Sequence, residues 1–349
     1  METRLLKVQN LGDTNPRAAM AALDSLRDEV KQAGDERLQY KFMLLHNRLR
    51  DKADILPVST DTMTAVCEYF EHHGVVGEKA EAQYYLASVY RDLQDYPQAT
   101  IHFLQAANLA EEAAEPDAKL LERTYSQLAY LYSIEYNYDE SLNAAKRCLD
   151  VAEKHQLDAT ISTMDVATAY LQKGDTLAGM KYCDKAWETI KSTDDVAAFA
   201  DITAELLTVY SERGASRPAR ECFERLQQIP AERRPHNFLY GVANYYDAFG
   251  PNDSIEVAFR TLYDSIGTWT GVAYAAGRLT KFYHDLGRYK EACTYALDYK
   301  EANEHQLQEK MLELTARARG EYVYQRSKEA EVQAVRQAGR LKVRLWTSI

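Results

Sequence analysis

The chain is 349 residues long, with 42 Lys and Arg against 53 Asp and Glu and a net charge of −11. That balance argues against a phosphate-binding surface as the main function, because nucleic-acid affinity comes largely from Lys and Arg neutralising phosphates. Only 15 Gly and 8 Pro punctuate a chain rich in Ala, Leu, Glu, Gln and Arg, a composition that favours helices over turn-rich sheets.

No stretch approaches the ~20 consecutive apolar residues of a membrane-crossing helix. Residues 1–10 lack the apolar core of a signal peptide. The five cysteines, Cys67, Cys148, Cys183, Cys222 and Cys293, are odd in number and widely spaced. They fall on apolar-periodic stretches and read as small buried side chains rather than a disulfide framework or a metal site.

In chain order, residues 16–32 predict one amphipathic helix, and residues 36–73 a degenerate helical hairpin. The clearest repeat is 83–109. It sets Leu86, Ala87 and Tyr90 on one helix, Tyr96 at a turn, and Ala99, Phe103 and Ala106 on a second helix. Spacings of three and four line each set along one helical face, so the two stripes close on each other as an αα-hairpin. The small residues Ala87 and Ala99 mark the close approach. The template returns at 125–148, 166–186 and 206–230, weakly around Leu239–Phe259, and well around Leu279–Ala292. Taking the first-helix marker at Leu44, Leu86, Leu128, Val166, Leu206, Val242 and Leu279, the array holds about seven hairpins. Tyr90, Tyr132, Tyr170, Tyr210, Tyr246 and Tyr283 are expected in the core.

This pattern resembles the tetratricopeptide repeat (TPR), with a period somewhat longer than its minimal ~34 residues. The fold class expected is all-α, a TPR-like α-α superhelix or right-handed solenoid of hairpins, with a long C-terminal helix. The divisions expected are an N-terminal capping helix at 1–35, an array of about seven hairpins at 36–303, and a capping and juxtamembrane-like helix at 304–349. In a TPR-like stack the first helices line a concave groove. Its candidate lining is Phe42, His46, Tyr84, Arg91, Tyr130, Met164, Asp201, Tyr240, Asn244, Asp247, Tyr274 and Lys281. This mixture of aromatic and polar side chains suits a protein or peptide ligand. Tyr84, Tyr130, Tyr240 and Tyr274 divide evenly between partner contact and packing within the repeat. Asp165, Asp201, Glu205 and Asp247 make the central groove acidic and unlike a carboxylate clamp.

Catalytic and metal-site patterns are missing. There is no His-Glu-x-x-His, paired-cysteine, EF-hand, phosphate-loop or Gly-x-Ser-x-Gly spacing, and His72-His73 reads as a helix C-terminus. A non-enzymatic protein without cofactor or metal is expected, binding no nucleic acid through this segment.

From Glu301 one long helix is predicted, with Leu307, Met311, Leu314, Ala318 and Tyr322 as the stripe that caps the array. Residues 325–349 hold Arg326, Lys328, Arg336, Arg340, Lys342 and Arg344 against Glu329 and Glu331, and end in Leu345-Trp346-Thr347-Ser348-Ile349. The stretch reads equally as an approach to a membrane or as a basic tail, and its helix is a candidate for self-association.

The segments Ala21–Leu26, Ile55–Asp61 and Tyr84–Tyr90 resemble a family of bacterial TPR sensor-regulators. The resemblance implies an extracytoplasmic TPR array, anchored through a membrane helix and followed by a helix-turn-helix domain. On that reading the chain is the sensor segment of a membrane-anchored transcriptional regulator, trimmed before its membrane span. The competing reading is a free cytosolic TPR scaffold or adaptor.

Overall fold

The computed structural model describes residues 1–311, and every regular element among them is helical. By internal contact they divide into two compact units, Met1–Leu157 and a second beginning at Asp158, and each is taken by itself.

The first unit opens with α1 (Glu2–Gly12), α2 (Pro16–Asp24) and α3 (Arg27–Gln32). The single helix expected over 16–32 is therefore two. The Ser25 hydroxyl donates back to the Ala22 carbonyl at 2.7 Å, and Leu26 turns into the core before α3 begins. The capping helix expected at 1–35 is thus three helices, and α1 lies before the 16–32 stretch for which a helical stripe was predicted. The helix α1 forms because Leu5 and Val8, three residues apart, bury against Leu23, Leu45 and Leu49. Three antiparallel pairs follow: α4 (Glu36–Lys52) with α5 (Asp61–His73), α6 (Val76–Asp92) with α7 (Tyr96–Glu112), and α8 (Ala118–Ile134) with α9 (Tyr138–Lys154).

The second unit pairs α10 (Thr160–Gln172) with α11 (Thr176–Lys191), α12 (Ala200–Glu212) with α13 (Ser216–Gln227), and α14 (Phe238–Phe249) with α15 (Asn252–Ser265). Then comes α16 (Trp269–Asp285), followed by a helix, α17, that begins at 289 and is unbroken to residue 311. No break falls near 301, where a separate helix was expected. Leu307 and Met311 are exposed, and the rest of the predicted capping stripe and the basic stretch lie outside the described residues.

One turn chemistry closes most pairs. In the α6–α7 turn Gln94 takes φ 63°, and the Asp95 N–H donates to the Tyr90 carbonyl at 2.9 Å. Asp95 then caps α7 by accepting from the Gln98 N–H. Tyr136 with Asn137 and Gly174 with Asp175 repeat this arrangement. Gly214 and Gly287 keep the left-handed residue, and in each the backbone bond returns to the expected tyrosine, Tyr210 or Tyr283. This is the helix C-terminal motif in which a left-handed residue lets the chain reverse while the last carbonyls stay bonded.

Packing follows the predicted stripes. Leu44, Leu86, Leu128, Val166, Leu206 and Leu279 are buried, and Ala87 and Ala99 are fully enclosed. Of the six tyrosines expected in the core, Tyr210 and Tyr283 are fully enclosed while Tyr90, Tyr132, Tyr170 and Tyr246 are half-buried. Enclosed tyrosines still need a hydrogen-bond partner. Tyr125 donates to Glu111, Tyr210 to Asp184 and Tyr283 to Glu256, each carboxylate lying on the preceding helix. Cys67, Cys148, Cys183 and Cys222 are buried, but Cys293 on α17 is exposed, so burial holds for four of the five.

Candidate binding faces

In the first unit the helices α4, α6 and α8 are joined by arginines. Arg48 on α4 donates to Glu81 on α6 at 3.1 Å and to Asp13 after α1 at 3.2 Å. Arg91 on α6 reaches back to Asp51 at 2.9 Å and forward to Gln127 on α8 at 2.7 Å. Arg123 on α8 lies 4.8 Å from the centre of the Tyr84 ring and donates to the Tyr85 hydroxyl at 3.2 Å. These contacts tie three successive first helices together and use much of the face's hydrogen-bonding capacity internally.

In the second unit the face formed by α12, α14 and α16 is more open. Tyr240 and Tyr274 pair at 5.5 Å between ring centres. The Tyr274 hydroxyl donates to the Asn244 side-chain oxygen at 2.6 Å, and the Asn244 amide donates to the Tyr240 carbonyl at 2.8 Å. Arg278 pairs with Asp247 at 3.1 Å while its guanidinium lies 5.6 Å from the centre of the Tyr274 ring. A cleft of about 220 Å³ follows, lined by Asp247, Ile255, Arg278, Lys281, Phe282 and Asp285. Burial raises the Tyr240 hydroxyl above its ordinary pKa, whereas the hydrogen bond from Lys281 holds Asp285 below the usual carboxylate value. On α12, Glu205 accepts from the Thr168 hydroxyl of α10 at 3.0 Å, and burial raises its carboxyl while that bond works the other way.

The structure thus brings five expected groove residues together: Tyr240, Asn244, Asp247, Tyr274 and Lys281. Asn244 nonetheless belongs to the buried layer beneath the tyrosines. Three other candidates are also enclosed rather than lining an open face. Tyr84, only 4% exposed, is closed in by Tyr85, Phe103 and Arg123. Phe42 lies in the core of α1 to α4 with Arg27 over its ring. Met164 packs in a cluster with Trp187, Leu206 and Leu207. Tyr84 and Met164 are covered by the next first helix, through Arg123 and through Leu206 and Leu207, whereas Phe42 is covered by the N-terminal helices that precede α4. His46 and Arg91 are part-buried, and burial pushes His46 below its ordinary pKa. Tyr130 is 52% exposed, and Asp201 is exposed with His236 Nδ1 at 3.3 Å.

Sequence reasoning missed Arg278, although it lies four residues after Tyr274 and three before Lys281 on the same stripe. It also missed Gln127, Asp51 and Glu81, whose roles depend on which helix stands next to which.

A stack of antiparallel hairpins with left-handed turns and a shared first-helix layer defines a TPR-like helical-repeat fold. The tetratricopeptide repeat family matches residues 78–154, the stretch from α6 through α9. Solved structures share the fold across most of the chain. The apo form of the quorum sensor NprR from B. thuringiensis aligns at 15% identity and TM-score 0.66, covering 86% of each chain. The apo form of RapI aligns at 15% identity and TM-score 0.65, covering 82% of this chain and 81% of that one. Aspartyl phosphate phosphatase F from Bacillus subtilis aligns at 14% identity and TM-score 0.56, covering 81% and 75%. No curated protein matches by sequence.

Proposed function

We propose that the chain is a non-enzymatic TPR module that binds a peptide or an extended protein segment on the α12–α14–α16 face. The observation that carries this reading is the Tyr240–Tyr274 pair set beside Arg278, Asp247 and a small cleft. Aromatic rings with a polar tip give large contact area at low entropic cost, and the flanking charges fix register. The fold shared with the quorum sensor NprR supports a sensing role. The test is fluorescence polarisation with labelled pentapeptide pools, each holding one residue fixed. Tyr240→Ala and Tyr274→Ala are expected to weaken the best pool by about ten-fold or more, the size of an aromatic anchor's contribution. Unchanged binding in both variants, with the circular dichroism spectrum intact, would rule out this face.

The finer reading is that this module is the receiving segment of a membrane-anchored transcriptional regulator, held on the extracytoplasmic side. It rests on the sequence resemblance to TPR sensor-regulators and on the basic residues of 325–349. No described helix is long and apolar enough to cross a membrane. Protease added outside intact spheroplasts should digest the native protein; protection there, with recovery in the soluble cytosolic fraction, favours the scaffold reading instead.

A further inference from the structure

On the first-helix face of the second unit, Asp247, Asp285 and Asp201 each have a basic side chain beside them, and Glu205 does not. Asp247 has Arg278 at 3.1 Å, Asp285 has Lys281 at 2.6 Å, and Asp201 has His236 at 3.3 Å. Glu205, one turn beyond Asp201 on α12, has the Thr168 hydroxyl as its partner, and no Lys, Arg or His among the described residues pairs with it. It is part-buried between α10 and α12 yet keeps a share of solvent exposure. A carboxylate accepts about four hydrogen bonds, so one hydroxyl leaves most of its capacity unused. Holding such a group partly out of water without a counter-charge is costly, and a cation brought by a ligand removes that cost.

We propose that Glu205 receives the guanidinium or ammonium of a cationic side chain on a bound peptide, with the Thr168 hydroxyl holding the carboxylate in place. This deepens the peptide-binding reading and rests on it. The flanking Asp201 adds to the local negative potential that draws such a side chain in. An arginine is the better fit, because its guanidinium offers several donors in one plane to a carboxylate.

The experiment uses the whole chain and the fluorescein-labelled pentapeptide pools, with Arg, Lys, Leu or Glu fixed in turn. Pools with fixed Arg or Lys should bind tighter than those with fixed Leu or Glu. Glu205→Gln should weaken the Arg pool about ten-fold, the scale of a lost charged hydrogen bond, and leave the Leu pool unchanged. Citrulline in place of Arg keeps the shape but removes the charge. It should cost the same factor on the wild-type chain and nothing on Glu205→Gln. If the variant fails to fold, the citrulline loss on the wild-type chain still decides, and equal binding of Arg and citrulline pools overturns the proposal. Equal binding of the Arg pool by wild type and Glu205→Gln overturns it too, while leaving peptide binding intact. Binding of no pool sinks both readings together.

Discussion

Tyr84 and Tyr130 lie on successive first helices, one two residues before the marker Leu86 and the other two residues after the marker Leu128, and one is enclosed and the other exposed. Tyr84 sits against Phe103 with the Arg123 guanidinium over its ring, so truncation leaves a cavity and strands a part-buried cation. Tyr84→Ala should cost about 3–5 kcal/mol in urea unfolding, whereas Tyr130→Ala should stay within about 0.5 kcal/mol. At the α6–α7 turn, Gln94 occupies the left-handed region at φ 63° where Gly174, Gly214 and Gly287 serve in other turns. Gln94→Gly is expected to raise stability by about 0.5–1 kcal/mol, because glycine meets no Cβ penalty there. Thiol chemistry follows burial in the same way. Cys67 and Cys183 are pushed up to about 12 by burial, while Cys293 is exposed. Ellman's reagent at neutral pH should therefore titrate one thiol in the native chain and all five in urea.

The interlocking of neighbouring helices sets the next scale. Gly241 on α14 lets that helix approach α12 so closely that an added Cβ would lie 3.0 Å from the Ala204 carbonyl oxygen. An alanine gains about 1 kcal/mol of helix propensity, but a backbone oxygen yields less readily than a side-chain tip. Overpacking of about 1–3 kcal/mol outweighs the gain, so Gly241→Ala should lower the melting temperature. The helix α1 depends on charge as well as on Leu5 and Val8. Asp13, at its C-terminal end, pairs with Arg48 and Lys52, and the hydrogen bond from Lys52 holds its carboxyl below the ordinary 3.8. A lowered carboxyl pKa contributes stability above its unfolded value and loses it as pH falls through the folded value. Asp13→Asn should thus melt earlier than wild type at pH 7, with the difference shrinking as pH falls below 3.8.

Across the molecule, the outcome turns on which information is local. Repeat spacing, the paired stripes around Leu86 and Phe103, and the turn at Tyr96 were legible because an αα-hairpin is specified by neighbours within about 40 residues. The helix α1 was not legible as a separate element, since an 11-residue segment of low amphipathicity takes its stability from a surface contributed by α2 and α4. The candidate face was half legible. Position counting found Tyr240, Asp247, Tyr274 and Lys281, but it also put forward Phe42, Tyr84 and Met164, which are buried. Sequence by itself determined the helical class, the hairpin period and the chemical character of the first helices, because these follow from 3.6-residue periodicity and turn chemistry. Tertiary structure alone decided which of those side chains stay open. It also decided that Arg278 joins Tyr274 and Asp247, and that Glu205 has no cation beside it, because burial and charge pairing depend on which helix stands next.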